Sequence, residues 1–358
     1  MERIGGVTMT KHIVIEGESL YIIAQKYGIS LSSLIAANPD IKNPDLIVPG
    51  QVLNVPKKSL ETPIVIPREN YGYHEMVNDL EALQEFYPFI QMDSIGSTVM
   101  CRSIPVIRIG QGQKEVHYNA SFHANEWITT LLLMKFLEVY AKAYVSGNNI
   151  GYFNIKTLFE STSLYLVPMV NPDGVQLVHG KIDTESQIYA EAVRINGESQ
   201  DFSGWKANIR GVDLNDQFPA NWETEVSRRG ATQPAPRDYP GPAPLSEPET
   251  RAMAEFTQAH NFRLVSAFHT QGEEIYWGYQ GFEPMESQEI IQRFVEVSGY
   301  EEIRYVESDA GYKDWFIQDW KCPGFTVECG QGVNPLPVSQ FWEIWGKVIG
   351  IFLMGLHV

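Results

Sequence analysis

A chain of 358 residues in which 27 Lys and Arg face 44 Asp and Glu carries a formal charge of −17. That excludes a phosphate-backbone binder as a first reading, because nucleic-acid affinity rests on Lys and Arg, and it disfavours an anionic membrane surface. Apolar residues at 44% and charged residues at 20% exclude a disordered chain. At roughly 150 residues per domain the length suggests about two domains. The cysteines Cys101, Cys322 and Cys329 are too few, and odd in number, for a disulfide framework.

Residues 1–11 hold no apolar core of the kind a secretory signal needs. Residues 12–16 alternate around Ile13 and Ile15, a short strand. Gly17 turns the chain, and Ser19 is placed to cap a helix with Leu20, Ile23, Ala24 and Tyr27 on one face. Gly28 is placed as the left-handed C-cap. Ser30 begins a second helix, with Leu31, Leu34 and Ile35 inward, that stops at Asn38-Pro39. Pro49-Gly50 then turns into a strand at 52–55, completing a β-α-α-β order within 12–57.

Four runs, Gly17-Glu18-Ser19-Leu20, Tyr27-Gly28, Asn38-Pro39 and Val48-Pro49-Gly50-Gln51, make this segment resemble the LysM domain. That module binds N-acetylglucosamine units of peptidoglycan and chitin. The resemblance implies a glycan groove between Gly17, Glu18, Ser19 and Leu20 on one loop and Leu46 and Ile47 on another. One copy alone gains no avidity, so glycan binding should be weak.

Residues 58–68, with Thr62-Pro63 and Pro67, read as a linker, and 69–358 as a larger domain. Apolar-rich strands at 104–109 and 115–120 flank a turn at 110–114, the signature of a hairpin. Residues 127–144 are apolar nearly all round, a buried helix. Further buried strands are expected at 164–170, 263–268 and 324–327. Strands alternating with helices point to an α/β fold, a mixed sheet with helices on both faces. Residues 196–248 are rich in Gly, Pro and Asn, a composition common in loops that hold substrates. Residues 351–356 are too short to span a membrane and read as the end of a packed C-terminal helix.

The chemistry gathers at strand ends. His123-Ala124-Asn125-Glu126 lies between a strand and the long helix, where a His and a Glu three apart can face one cleft and hold zinc. His269 ends another strand, 269 − 123 = 146 residues later, and supplies a third ligand. Three protein ligands with an open position describe a catalytic zinc site, and open α/β sheets place such sites at the carboxyl ends of strands. Glu328 ends a third apolar strand and is available as general base. His74-Glu75 does not make an HExxH motif, because residue 78 is Asn78.

These residues, with Asn171-Pro172-Asp173-Gly174, Gly211-Val212-Asp213-Leu214-Asn215, His269-Thr270-Gln271-Gly272, Asp314-Trp315 and Thr326-Val327-Glu328, resemble the zinc carboxypeptidase family (carboxypeptidase A-like). The motifs follow the family's order over most of 71–358. The resemblance implies one zinc ion on His123, Glu126 and His269, with Glu328 activating water for attack on an amide. It makes Asp213 the carboxylate that orients His123, and it sets Asn215 and Gln271 among the substrate-binding residues. Two departures stand out. The family's Trp-Arg-Lys run is Trp205-Lys206-Ala207-Asn208, so the oxyanion falls to Lys206, a point charge without the guanidinium fork, or to Arg210. Asp216 stands where ordinary members carry the arginine that grips a terminal carboxylate, and a carboxylate there attracts an ammonium instead. Trp205, Trp222 and Tyr276 are candidate walls of that pocket. Tyr305, with Tyr312 as rival, is the candidate phenol closing over substrate, and Cys329 reads as a buried small residue.

A glycan-binding module joined to a zinc peptidase resembles the bacterial γ-D-glutamyl-meso-diaminopimelate peptidases. It implies the peptidoglycan stem peptide as substrate, cut at its γ-D-Glu–diaminopimelate amide, and a cytoplasmic or spore- and wall-associated setting. The rival readings are a general zinc carboxypeptidase, a small-amide deacylase, and a wall-binding protein with an inert peptidase domain.

Overall fold

The computed structural model describes residues 3–4, 7–27, 29, 31–44, 46–56 and 62–358, the side chains of 3, 4, 7, 8 and 32 excepted. Gly28, Ser30 and the junction at 57–58, expected as a helix cap, a helix start and a domain boundary, lie outside the described residues. The chain divides into two compact units, Met1–Ile64 with Glu81–Pro88 and Val65–Leu80 with Phe89–Val358. Among the described residues no helix is long and apolar enough to cross a membrane.

In the small unit β1 (Arg3–Ile4), β2 (Val7–Ile13) and β3 (Val52–Pro56) form an antiparallel sheet in chain order. The strand expected at 12–16 thus runs earlier, and Val14 continues the pairing through Gln51 and Gly50. Ser19 caps α1 (Leu20–Lys26), its Oγ accepting from the Ile22 N–H at 3.2 Å. Leu20, Ile23 and Ala24 pack with Leu34 of α2 (Leu31–Ala36) against Val14, Leu53 and Val55. Buried Asn38 explains the Asn-Pro motif. Its Nδ2 donates to Leu34 and Asn54 carbonyls at 2.8 and 2.7 Å, and its Oδ1 accepts the Asn54 N–H at 2.7 Å.

After α3 (Tyr73–Phe86), the sheet of the large unit is built from β4 (Gln91–Ser97), β5 (Ser103–Gly110), β6 (Lys114–Ala120), β7 (Thr162–Val167), β8 (Phe262–His269), β9 (Glu274–Tyr276), β10 (Glu301–Ile303) and β11 (Gly324–Glu328). Their order is β10-β9-β11-β8-β6-β7-β5-β4. Between these strands run α4 (Ile128–Ser146), α5 (Ile155–Ser161), α6 (Pro172–Val178), α7 (Gln187–Ile195), α8 (Trp222–Arg229), α9 (Pro248–Gln258), α10 (Glu286–Ser298) and α11 (Tyr312–Trp320); α12 (Phe341–His357) closes the chain. Helices cover both faces. Phe352 of α12 stacks on Phe136 of α4 and meets Phe268 of β8 and Tyr118 of β6. On the other face Phe256 of α9 meets Phe262 and His117, and Trp315 of α11 stacks on Phe218.

The hairpin expected at 110–114 is absent. β7 lies between β5 and β6, antiparallel to the first and parallel to the second. A Cβ on Gly110 would sit 2.1 Å from the Thr162 carbonyl oxygen, and one on Gly112 1.8 Å from Ser161 carbon. Glycine therefore lets this connection cross the start of β7 at backbone contact. The consequence for function lies in the centre of the sheet. β11, β8 and β6 are neighbours and mutually parallel, so the segments that follow Ala120, His269 and Glu328 emerge side by side.

Candidate active site

β6 runs into a 3-10 turn, Ala124–Glu126, ahead of α4, and this turn presents His123 and Glu126 to the end of β8. His123 Nδ1 lies 2.9 Å from Glu126 Oε1, and His269 Nδ1 lies 3.0 Å from Glu126 Oε2. The two Nδ1 atoms are 3.2 Å apart. One ligand atom from each residue lies within 4.8 Å of the others. Two imidazole nitrogens and a buried carboxylate turned on one point fit a divalent metal with N and O ligands. His123 Nε2 meets Asp213 Oδ1 at 3.3 Å. The same carboxylate accepts the Asn215 and Asp238 N–H groups at 3.2 and 3.1 Å. Burial would raise the pKa of Asp213, but the His123 charge and hydrogen bond outweigh it and hold the group ionised. It is thus positioned to fix the His123 tautomer with Nδ1 toward the cleft.

Lys206 reaches the same cluster, its Nζ 3.2 Å from Glu126 Oε1. The backbone explains why. Ala124 N–H donates to the Lys206 carbonyl at 3.0 Å, and Asn171 Nδ2 bridges the Phe122 and Ala207 carbonyls at 3.1 and 3.0 Å. Burial works against the Lys206 ammonium, yet the Glu126, Asp213 and Glu328 carboxylates outweigh it and raise its pKa. Of the two cations considered for the oxyanion, the structure brings in Lys206 only. Arg210 is half exposed and turns to Glu247 at 3.5 Å. Glu328 pairs in register with His269 across β11 and β8. Burial, and then the Glu126 charge, push its pKa up to about 8, against the pull of Lys206 and His123. A carboxyl that exchanges its proton near neutrality suits a general base.

The remaining residues singled out by sequence are not part of the His123, Glu126 and His269 cluster itself. Asp216 does not offer an open acidic pocket. It is buried, and its Oδ1 takes Arg229 Nη2 at 2.8 Å, while Arg229 also holds Glu225 and Asp238. Asn215 Oδ1 accepts the Tyr312 N–H at 3.3 Å, and Gln271 Oε1 accepts the Gly332 N–H at 3.0 Å. Tyr305 is exposed and donates to Glu283 Oε1 at 2.8 Å. Tyr312 is buried against Thr257 Oγ1 at 2.9 Å, so neither phenol touches the cluster. Trp205 is fully buried and cannot line an open pocket; its Nε1 donates to the Asn208 carbonyl. Trp222 Nε1 donates to the Pro240 carbonyl. Cys329 is buried, as expected.

In the small unit the Glu18 carboxylate serves the module itself. The Ile15 N–H, then His12 and Lys26, hold its pKa down to about 2. Ser19 is spent on its cap and Leu20 on the core, whereas Leu46 is 71% exposed. Ile47 packs partly against the core, and Gly17 takes the left-handed turn at φ 86°.

Two residues beside the cluster carry no ligand spacing that sequence reasoning could use. Thr270 N–H donates to Glu126 Oε2 at 3.2 Å, and Asn334 Nδ2 reaches Glu126 Oε1 at 3.4 Å and the Thr270 carbonyl at 3.0 Å. Thr270 Oγ1 returns a bond to Asn334 Oδ1 at 2.7 Å. The local signal for them is the Asn334-Pro335 step after Gly330 and Gly332, a turn-forming pattern.

A mixed sheet with a His-x-x-Glu turn, a distant His and a Glu on three neighbouring strand ends defines a metallopeptidase of the carboxypeptidase type. Residues 76–348 match the zinc carboxypeptidase family and residues 12–56 the LysM domain. The chain belongs to the zinc carboxypeptidase family and carries a LysM domain at its N-terminal side. It is 53% identical over 295 residues to gamma-D-glutamyl-L-diamino acid endopeptidase 1 of Lysinibacillus sphaericus, covering 82% of this chain and 74% of that one. It is 40% identical over 356 residues to the uncharacterized protein YqgT of Bacillus subtilis (strain 168), covering 93% and 94%. Bovine thrombin-activatable fibrinolysis inhibitor, solved with tick carboxypeptidase inhibitor, shares the fold with a TM-score of 0.62 at 18% identity, over 82% of this chain and 97% of that chain.

Proposed function

We propose that the protein hydrolyses the γ-D-glutamyl–diamino acid amide of peptidoglycan stem peptides, meso-diaminopimelate being the diamino acid, while its LysM domain (residues 12–57) holds N-acetylglucosamine glycan. The observation that carries this reading is one chain that joins a LysM domain to a zinc carboxypeptidase domain and is 53% identical over 295 residues to a γ-D-glutamyl-L-diamino acid endopeptidase. The setting that follows is the cell wall or its turnover.

His123, Glu126 and His269 would hold one zinc ion, which supplies Lewis acidity toward the scissile carbonyl and toward water. Glu328 takes the proton of the attacking water and passes it to the leaving amine. Lys206 donates to the oxygen on which negative charge develops. Asp213 keeps the His123 ring in place through Nε2. Asn215 and Gln271, on the loops flanking this cluster, orient the substrate. Hydrolysis of L-Ala-γ-D-Glu-meso-diaminopimelate against hippuryl-type C-terminal substrates tests the assignment. Cleavage at the γ-amide, read by mass of the products, is expected; preference for hippuryl substrates overturns it in favour of a general carboxypeptidase.

A further inference from the structure

The neighbour of Glu328 on the far side from His269 is a carboxylate that the chemistry above does not use. β11 pairs with β8 on one side and with β9 on the other, and the registers set His269, Glu328 and Glu274 in one row. Residues directly opposite on paired strands project from the same sheet face. Glu274 therefore stands on the face of the base, one strand spacing (about 5 Å) from Glu328 and about two spacings from His269. Tyr276 lies opposite Thr326 on that face, and its hydroxyl donates to Glu274 Oε2 at 2.6 Å.

The electrostatics of this place are one-sided. Glu274 is half-buried, and its charge is felt at Glu328. Among the described residues no ion pair includes it, whereas the adjacent Glu273 takes Lys347 Nζ. A carboxylate partly withdrawn from water beside a second carboxylate, with one neutral donor, lacks a positive partner. Asp216, where sequence suggested an ammonium site, already has Arg229. The L. sphaericus relative is named for a diamino acid. Such a residue gives one nitrogen to the scissile amide and keeps a second amine, cationic at neutral pH, a few bonds away.

We propose that Glu274, oriented by the Tyr276 hydroxyl, binds the ammonium formed by the second amino group of the substrate's diamino acid. This inference rests on the proposed γ-glutamyl–diamino acid substrate. It makes Glu274 a specificity residue on the leaving-group side, one strand away from the base.

The experiment compares kcat/KM of the zinc-loaded full chain on L-Ala-γ-D-Glu-meso-diaminopimelate and on its aminopimelyl analogue, which lacks only the second amine. A hydrogen bond between charged groups is worth about 1.5–3 kcal/mol, so the wild type should prefer the diamino substrate about 10- to 100-fold. Glu274→Gln should lose most of that preference, and Glu274→Lys should invert it. Tyr276→Phe, which keeps the carboxylate but frees its orientation, should lose part of it. Each value is a ratio of two substrates on one preparation, so partial misfolding of a variant cancels. A wild type that cleaves the diamino tripeptide while Glu274→Gln keeps the full preference overturns the role of Glu274 alone. A wild type that cleaves neither tripeptide overturns the substrate reading and this inference with it.

Discussion

Glu249→Gln should stabilise the large unit at alkaline pH and do almost nothing in acid. Glu249 sits in the first turn of α9, fully buried. Its Oε1 accepts the Val99 N–H at 3.2 Å, and its Oε2 faces Asn208 Nδ2 at 3.5 Å. Burial raises its pKa, backbone N–H groups pull against it, and the Asp173 and Glu247 carboxylates add to the rise, leaving it at about 7 against an ordinary 4.5. The folded form therefore binds an extra proton between those values. The stability this confers is complete below about pH 4.5 and is lost as pH rises through about 7. At about 1.4 kcal/mol for each pH step between 4.5 and about 7, the loss comes to about 3.5 kcal/mol at the upper end. Glutamine keeps the acceptor for Val99 and carries no charge, so the variant should gain about 1–3 kcal/mol at pH 8, a few degrees in Tm for a unit of this size. Calorimetry of variant against wild type at pH 5 and pH 8 reads the difference directly, and effects common to both proteins cancel. A variant equally or less stable than wild type at pH 8 would show that Glu249 does not hold its proton near neutrality.

Lys206→Met should lower kcat about 10²–10³-fold, the usual cost of one oxyanion donor, while Lys206→Arg restores most of it; equal losses in both would mean that the charge is not what matters. Asp213→Ala should weaken zinc about 10- to 100-fold in chelator competition, and unchanged affinity would remove Asp213 from the support of His123. Glu328→Gln should keep one zinc per chain and lose turnover by about 10²–10⁴-fold. Retained turnover would place the base elsewhere.

Much of the central sheet is legible in the sequence because apolar runs mark buried strands. The expected segments 104–109, 115–120, 263–268 and 324–327 fall within a residue or two of β5, β6, β8 and β11. β4 escaped for the opposite reason: it is an edge strand whose side chains are mostly exposed, so no alternation survives. The false hairpin has another cause. Periodicity reports that a segment is a strand but not which strand it joins, and β7 reaches its place between β5 and β6 only because Gly110 and Gly112 let backbones touch. Strand neighbours are a long-range property that no local pattern encodes.

The same limit governs the site. His123, Glu126 and His269 stand out because their chemistry is unusual at strand ends, and the structure gathers them. Asp216 misled because a residue read alone shows its charge and not its partner. Arg229 arrives from α8, 229 − 216 = 13 residues on, inside a stretch whose composition suggested only a loop. Glu274 is the converse case. Nothing around it in the chain marks it, since Glu273 beside it has the same side chain, but the alternation of a strand turns one of the two toward Glu328 and leaves the other to Lys347. Specificity at such a site is carried by register across β11 and β9, so a one-residue slip in that pairing would exchange the two carboxylates without changing the composition of the cleft.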